Sequence, residues 1–143
     1  MLVTRAADYG LQGMMHLAGL SDGKEAYVAE IARQCQVPSS FLAKIFQSLS
    51  KAGLVKSHRG AKGGFCLAKP PEDITILDVI QAVEGPVLLN KCFIAGTDCK
   101  NYPDCPVHEV LEEATTKLVS ILGRYNLRDL KEWRANHPSK PEN

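Results

Sequence analysis

Between Cys92 and His108 the chain reads CFIAGTDCKNYPDCPVH, which gathers three of its five cysteines at spacings C-x6-C-x5-C and places a histidine three positions after the last. Soft thiolates in a short loop containing Gly96, Pro103 and Pro106 suit zinc or an iron–sulfur cluster. Three cysteines and one histidine make a good tetrahedral zinc set, but gaps of six and five residues depart from the usual C-x2–4-C knuckles. Thiol redox switching is a third use for the same residues. The other two, Cys35 and Cys66, fall on a predicted helix and a predicted strand and read as small core residues. His16, His58, His108 and His137 form no recognisable nucleophile–base arrangement and there is no nucleotide-binding fingerprint, so no enzyme class is supported.

The elements that must position this loop come from the rest of the pattern. At 143 residues, with 45% apolar and 23% charged residues, the chain can bury one compact core and is not a disordered polymer. No apolar run approaches the roughly 20 residues of a membrane span, and Asp8 and Gly10 interrupt any signal-peptide core. A cytoplasmic location is expected, where clustered cysteines more often mean metal than disulfides. The net charge of +1 conceals an asymmetry: residues 1–70 hold nine Lys/Arg against four Asp/Glu, residues 71–143 eight against twelve. A basic front half fits a nucleic-acid face.

The front half predicts a DNA-reading head. Residues 3–20 carry a helix-period stripe at Ala7, Leu11, Met14, Met15 and Ala18, with Thr4 as N-cap. Residues 26–55 predict a short helix patterned by Val28, Ile31 and Ala32, a turn at Gln36-Val37-Pro38, and a second helix. Ser39 or Ser40 would cap that helix; its stripe is Phe41, Leu42, Ile45, Leu49 and Ala52, and Gly53 stops it. Two short helices across a tight turn make a helix-turn-helix, with Ser39, Ser40, Lys44 and Gln47 on the polar face of the second. Short hydroxyls, an amide and an ammonium can reach base edges or phosphates; a solvated polar face would show the same residues. A predicted hairpin follows, Leu54–His58 and Phe65–Ala68 around the tip RGAKGG, with Arg59 and Lys62 as its charges. Such a wing would contact phosphates or place Arg59 in a minor groove.

Behind the head, residues 74–86 predict a helix capped by Thr75 with Asp78 and stopped by Gly85-Pro86. After the cysteine loop, residues 107–125 carry a heptad-like stripe at Val107, Val110, Leu111, Ala114, Leu118, Ile121 and Leu122, read as a dimer interface. Asn126 would cap a last turn, LRDLKEW, with Trp133 packing back, before a polar tail HPSKPEN. The expected fold is therefore mainly α with a β-hairpin wing. Its units are a winged helix over 1–86, the cysteine loop at 87–108, a dimerisation helix and C-terminal turn at 109–135, and a flexible tail at 136–143.

Over residues 2 to about 132 the chain resembles the bacterial winged-helix regulators of the Rrf family, the IscR and NsrR type. The resemblance rests on Asp8-Tyr9, LSKAGLV, RGAKGGFCLAKP, DVIQAVEGP, the three-cysteine loop and YNLRDL. It implies a homodimeric, operator-binding regulator, expected as a repressor, controlled by an iron–sulfur cluster that senses nitric oxide, redox state or cluster supply. Cys92, Cys99 and Cys105 would be the cysteine ligands. His108 matches the histidine that completes a 2Fe–2S site in one branch; Asp8 matches the aspartate that completes a 4Fe–4S site from the partner's first helix in the other. The first cysteine gap is six residues here where the family's pattern has five. The alternative reading is a winged-helix regulator with structural zinc or a cluster-free thiol switch.

Overall fold

The computed structural model describes residues 3–21, 24–58, 64–94 and 99–138. Helix α1, Arg5–Gly19, starts where its cap requires: Thr4 is extended and its hydroxyl accepts from the Ala7 N–H. Helices α2, Val28–Cys35, and α3, Ser39–Lys51, form the helix-turn-helix. Both end by the same left-handed device. Gln36 (φ 56°) and Gly53 (φ 75°) reverse the chain. The next N–H then closes back, Val37 onto the Ala32 carbonyl at 2.9 Å and Leu54 onto the Leu49 carbonyl at 3.0 Å. The first closure shapes the turn between α2 and α3, the second the exit from α3.

Two expectations for α3 are corrected. Its N-cap is Pro38, whose carbonyl accepts from the Phe41 and Leu42 N–H groups; Ser39 and Ser40 lie inside the first turn. The buried stripe is Leu42, Ile45, Phe46 and Leu49. Phe46 is fully enclosed, whereas Phe41 is 44% exposed and meets Tyr9 edge-on at 5.9 Å. A 3.6-residue period places 42, 45, 46 and 49 on one side and leaves 41 at its margin.

The hairpin forms from β2, Val55–His58, and β3, Gly64–Leu67, paired antiparallel with His58 opposite Gly64 and Lys56 opposite Cys66. A two-residue strand β1, Ala26–Tyr27, adds to the far edge of β3 and gives the order β1-β3-β2. Two residues are too few to show alternation, so β1 left no signal in the sequence. The wing-tip residues Arg59 and Lys62 lie outside the described residues.

Helices α4, Ile76–Glu84, and α6, Leu127–Asn136, each begin with a reciprocal capping box, Thr75 with Asp78 and Asn126 with Asp129. The two starts are knitted together: the Ile76 N–H donates to the Tyr125 carbonyl and the Leu127 N–H to the Ile74 carbonyl, both at 2.9 Å. Leu127 is thereby driven fully into the core beside Met14, Leu42, Phe46, Leu49 and Val79. Trp133 does not pack back; it is 62% exposed and stacks on His137 at 4.4 Å.

The 19-residue helix α5, Pro106–Arg124, has no buried residue. Leu118, Val119 and Leu122 lean on a small cluster of Ala7, Ile80 and Val87, while Val107, Val110 and Ile121 are 59%, 66% and 49% exposed. The stripe therefore splits between an inward and an outward edge. Glu84, at the end of α4, accepts from both the backbone N–H and the hydroxyl of Thr4, which ties α4 to the start of α1 beside the cluster that α5 covers.

Candidate nucleic-acid interface and cysteine loop

On α3 the side opposite Leu42, Ile45, Phe46 and Leu49 is open: Ser39, Ser40, Lys44 and Gln47 are all exposed. Positions 40, 44, 47 and 51 fall on one helical face, which adds Lys51 to it. Because Pro38 provides no side-chain cap, the first turn of α3 opens on two exposed serines, Ser39 and Ser40. That is the end of the helix from which a major groove would be read. Phe41, exposed although it lies on the predicted apolar stripe, and the half-buried Tyr9 beside it are further contact candidates.

The loop is anchored at both ends. Cys92 lies in a 3-10 turn, Lys91–Phe93, capped by Asn90, whose side chain accepts from the Lys91 N–H at 2.7 Å. Cys105 is the N-cap of α5, followed by Pro106 at the first helical position, where a missing N–H costs nothing. The first turn of α5 then swings His108 back over the 3-10 turn, and its Nδ1 stands 3.5 Å from Cys92 Sγ. Phe93 (4.8 Å, tilted) and Tyr102 (5.2 Å, edge-on) hold the imidazole from two sides. These aromatics were visible in the sequence, as the residue after Cys92 and the tyrosine of NYPDC, but no periodic rule singled them out.

Cys92, Cys99 and Cys105 are all free thiols, each half-buried. Among the described residues no three His, Cys, Asp or Glu side chains converge as a complete metal site would require. The structure brings Cys92 and His108 together and leaves Cys99 and Cys105 as donors on the same loop. The pair is nonetheless spaced as two ligands of one metal would be. With metal–sulfur and metal–nitrogen bonds of about 2.3 and 2.0–2.1 Å at a tetrahedral angle, the two donor atoms stand about 3.5 Å apart. Asp8 sits in the exposed first turn of α1, where its Oδ2 accepts from Gln12 Nε2 at 2.9 Å.

Of the two remaining cysteines, Cys35 packs against the core as expected and Cys66 does not. Cys35, at the end of α2, is half-buried; burial pushes its thiol up, partly opposed by the positive charge of Arg134 on α6. Cys66 lies on the face of β3 that carries Gly64, opposite the face on which Phe65 and Leu67 meet the core. Strand alternation dictates this, because Phe65 claims the inward side.

Comparison with known proteins gives a consistent result. The profile of the Rrf2 family, described as iron-dependent transcriptional regulator, matches residues 3–132. Protein aau3 of Rhizobium meliloti (strain 1021) is 34% identical over 135 residues, covering 94% of this chain and 87% of that protein. CymR, the global cysteine regulator of B. subtilis, superposes with a TM-score of 0.75 at 27% identity, covering 93% of this chain and 98% of its own. IscR of T. potens superposes with a TM-score of 0.75 at 28% identity, covering 98% and 93%. The matched family, CymR and IscR are transcription regulators and not enzymes. Among the described residues no helix is long and apolar enough to cross a membrane. A head with an open recognition helix, seated on a three-strand sheet and backed by α4 to α6, matches in pattern and in tertiary structure, and the chain belongs to the Rrf2 family of DNA-binding transcription regulators.

Proposed function

We propose that this protein is a homodimeric regulator, acting as a repressor, whose operator affinity is set by an iron–sulfur cluster held by Cys92, Cys99, Cys105 and His108. The observation that carries the reading is the 3.5 Å approach of His108 Nδ1 to Cys92 Sγ, with Phe93 and Tyr102 fixing the ring. Two soft or borderline donors already stand at the spacing of metal ligands, and two more thiols lie on the same loop. Of the two candidates for the fourth ligand, Asp8 and His108, this reading takes His108, the one that stands beside a loop cysteine. The cluster would supply a group that reacts with nitric oxide and oxidants, so the signal is nitric oxide, redox state or cluster supply.

What this chain's residues do is transmit. Cys105 is the N-cap of α5, so rearrangement among the loop donors moves the start of that helix directly. Leu118, Val119 and Leu122 carry the displacement to Ile80 and Ala7, and Thr4–Glu84 ties α4 to α1. Helix α1 in turn packs on α3, so loop and recognition helix are joined by one contiguous series of contacts. Residues 1–86 serve as the DNA-binding unit, 87–108 as the ligand loop, 109–135 as the dimerisation segment and 136–143 as a tail. Ser39, Ser40, Lys44 and Gln47 contact the operator from α3, with Arg59 and Lys62 on the wing. The outward edge of α5, Val107, Val110 and Ile121, pairs with a second copy, which places two heads for a two-fold operator.

A second reading rests on the same pair, because a tetrahedral zinc ion would accept the same 3.5 Å spacing. Anaerobic purification with iron, sulfide and zinc assayed beside the visible spectrum separates the two. Iron with acid-labile sulfide in a coloured dimer, lost in His108→Ala and retained in Asp8→Ala, is the expected result. Stoichiometric zinc without sulfide would overturn the sensor reading, as would cluster loss in Asp8→Ala alone for the choice of ligand.

A further inference from the structure

The outer face of the small sheet carries a second cysteine–histidine pair, remote in sequence from the loop. Antiparallel pairing sets His58 opposite Gly64 and Lys56 opposite Cys66, so His58 and Cys66 are diagonal neighbours on one face. Cys66 Sγ stands 3.4 Å from His58 Nε2, and His58 Nδ1 stands 3.1 Å from Glu25 Oε1. Glu25 immediately precedes β1 and reaches His58 by crossing over Gly64. A Cβ placed on Gly64 would lie 2.9 Å from Glu25 Oε2, so the missing side chain is what opens that path. A carboxylate accepting from Nδ1–H fixes the tautomer whose Nε2 lone pair faces the thiol; this is the arrangement by which a histidine activates a cysteine nucleophile. At the end of the sheet Cys66 also borders a cavity of about 170 Å3, walled by Leu17, Leu20 and Leu67 and rimmed by Lys24, Lys69 and Lys131. That volume is below the few hundred Å3 of a drug-sized site and suits an amino-acid-sized group, and three ammonium groups favour one bearing carboxylates.

We propose that Cys66 is a reactive thiol, activated by His58 and positioned by Glu25, that forms mixed disulfides with small carboxylate-bearing disulfides at the lysine-lined cavity. In the exchange the Cys66 proton passes to His58 Nε2 and the thiolate attacks one sulfur of the small disulfide. A new Cys66–sulfur bond forms as the sulfur–sulfur bond of the reagent breaks. The departing thiolate leaves with the electron pair and takes up the proton from His58. One disulfide is consumed and one is made, so no further oxidant is needed. The site is independent of the cysteine loop and of its occupancy.

The test is the rate of mixed-disulfide formation at each cysteine of the purified full-length protein, followed by peptide mass spectrometry with glutathione disulfide as the probe. Cys66 is expected to react at least about tenfold faster than Cys35, because a histidine nitrogen stands 3.4 Å from its sulfur to take the proton. His58→Gln should remove most of that advantage while leaving the Cys35 rate unchanged. Glu25→Gln and Gly64→Ala should each slow Cys66 roughly threefold, and Glu25→Asp should restore part of the loss, which a merely structural role would not produce. Lys24→Gln with Lys69→Gln should slow glutathione disulfide but not the cationic disulfide cystamine. Equal rates at Cys66 and Cys35, or a His58→Gln protein whose Cys66 reacts as before, would overturn the proposal. Equal slowing of both disulfides by the lysine changes would overturn the choice of reagent class.

Discussion

Gly13→Ala tests how closely α1 approaches the recognition helix. Gly13 is buried on α1, and a Cβ there would stand 2.7 Å from Phe46 Cε2 and 3.0 Å from Cζ. Ordinary carbon–carbon contact needs about 3.5–4.0 Å, so the ring or the helix must yield by roughly 1 Å. The ring has little freedom: Phe46 is fully buried and meets Phe65 edge-on at 5.0 Å. Overpacking of this kind costs about 1–3 kcal/mol, and so tight a contact belongs at the upper end. Against it, alanine in a helix interior gains about 1 kcal/mol over glycine. The net expectation is a loss of about 1–2 kcal/mol, or a fall in Tm of roughly 3–8 °C for a chain of this size. Two controls use the same exchange. Gly10→Ala meets side-chain methyls at 3.2 and 3.3 Å and should be near neutral; Gly19→Ala meets nothing within 4 Å and should be neutral or mildly stabilising. Thermal unfolding at one fixed protein concentration, so that dimerisation does not shift the comparison, reads all three. A Gly13→Ala protein as stable as Gly19→Ala would refute the close α1–α3 packing and, with it, the route from loop to recognition helix.

Three further outcomes are expected. Lys44→Ala should weaken binding to operator and to unrelated duplex alike and lower the slope of log affinity against log salt by about 1, as loss of one phosphate contact would. Val110→Glu, on the exposed edge of α5, should leave secondary structure intact while lowering the dimer fraction in sedimentation, since it removes no buried contact of the single chain. Leu127→Ala should cost about 2–5 kcal/mol of stability because that side chain is fully buried, whereas Trp133→Ala should change stability by no more than about 0.5 kcal/mol.

Much of this molecule is local in origin and so was legible in the chain. Thr4, Thr75 with Asp78, and Asn126 with Asp129 act within three residues of themselves, and each cap forms where the pattern placed it. The helix-turn-helix, the hairpin and the stop at Gly85 follow from equally short-range rules, and the loop cysteines announce themselves by spacing. Other features depend on which neighbour fills a space. Phe46 rather than Phe41 enters the core because α1 approaches at Gly13, and Trp133 stays outside because Leu127 and Leu130 already occupy the ground under α6. The α5 stripe looked uniform in sequence, but contact with α4 divides it. His108 meets Cys92 across 16 positions, and Glu25 meets His58 only because β1 joins the hairpin over Gly64. Donor types are properties of the chain, whereas the distances that turn donors into a site are set by how helices and strands pack, and no short-range pattern encodes those.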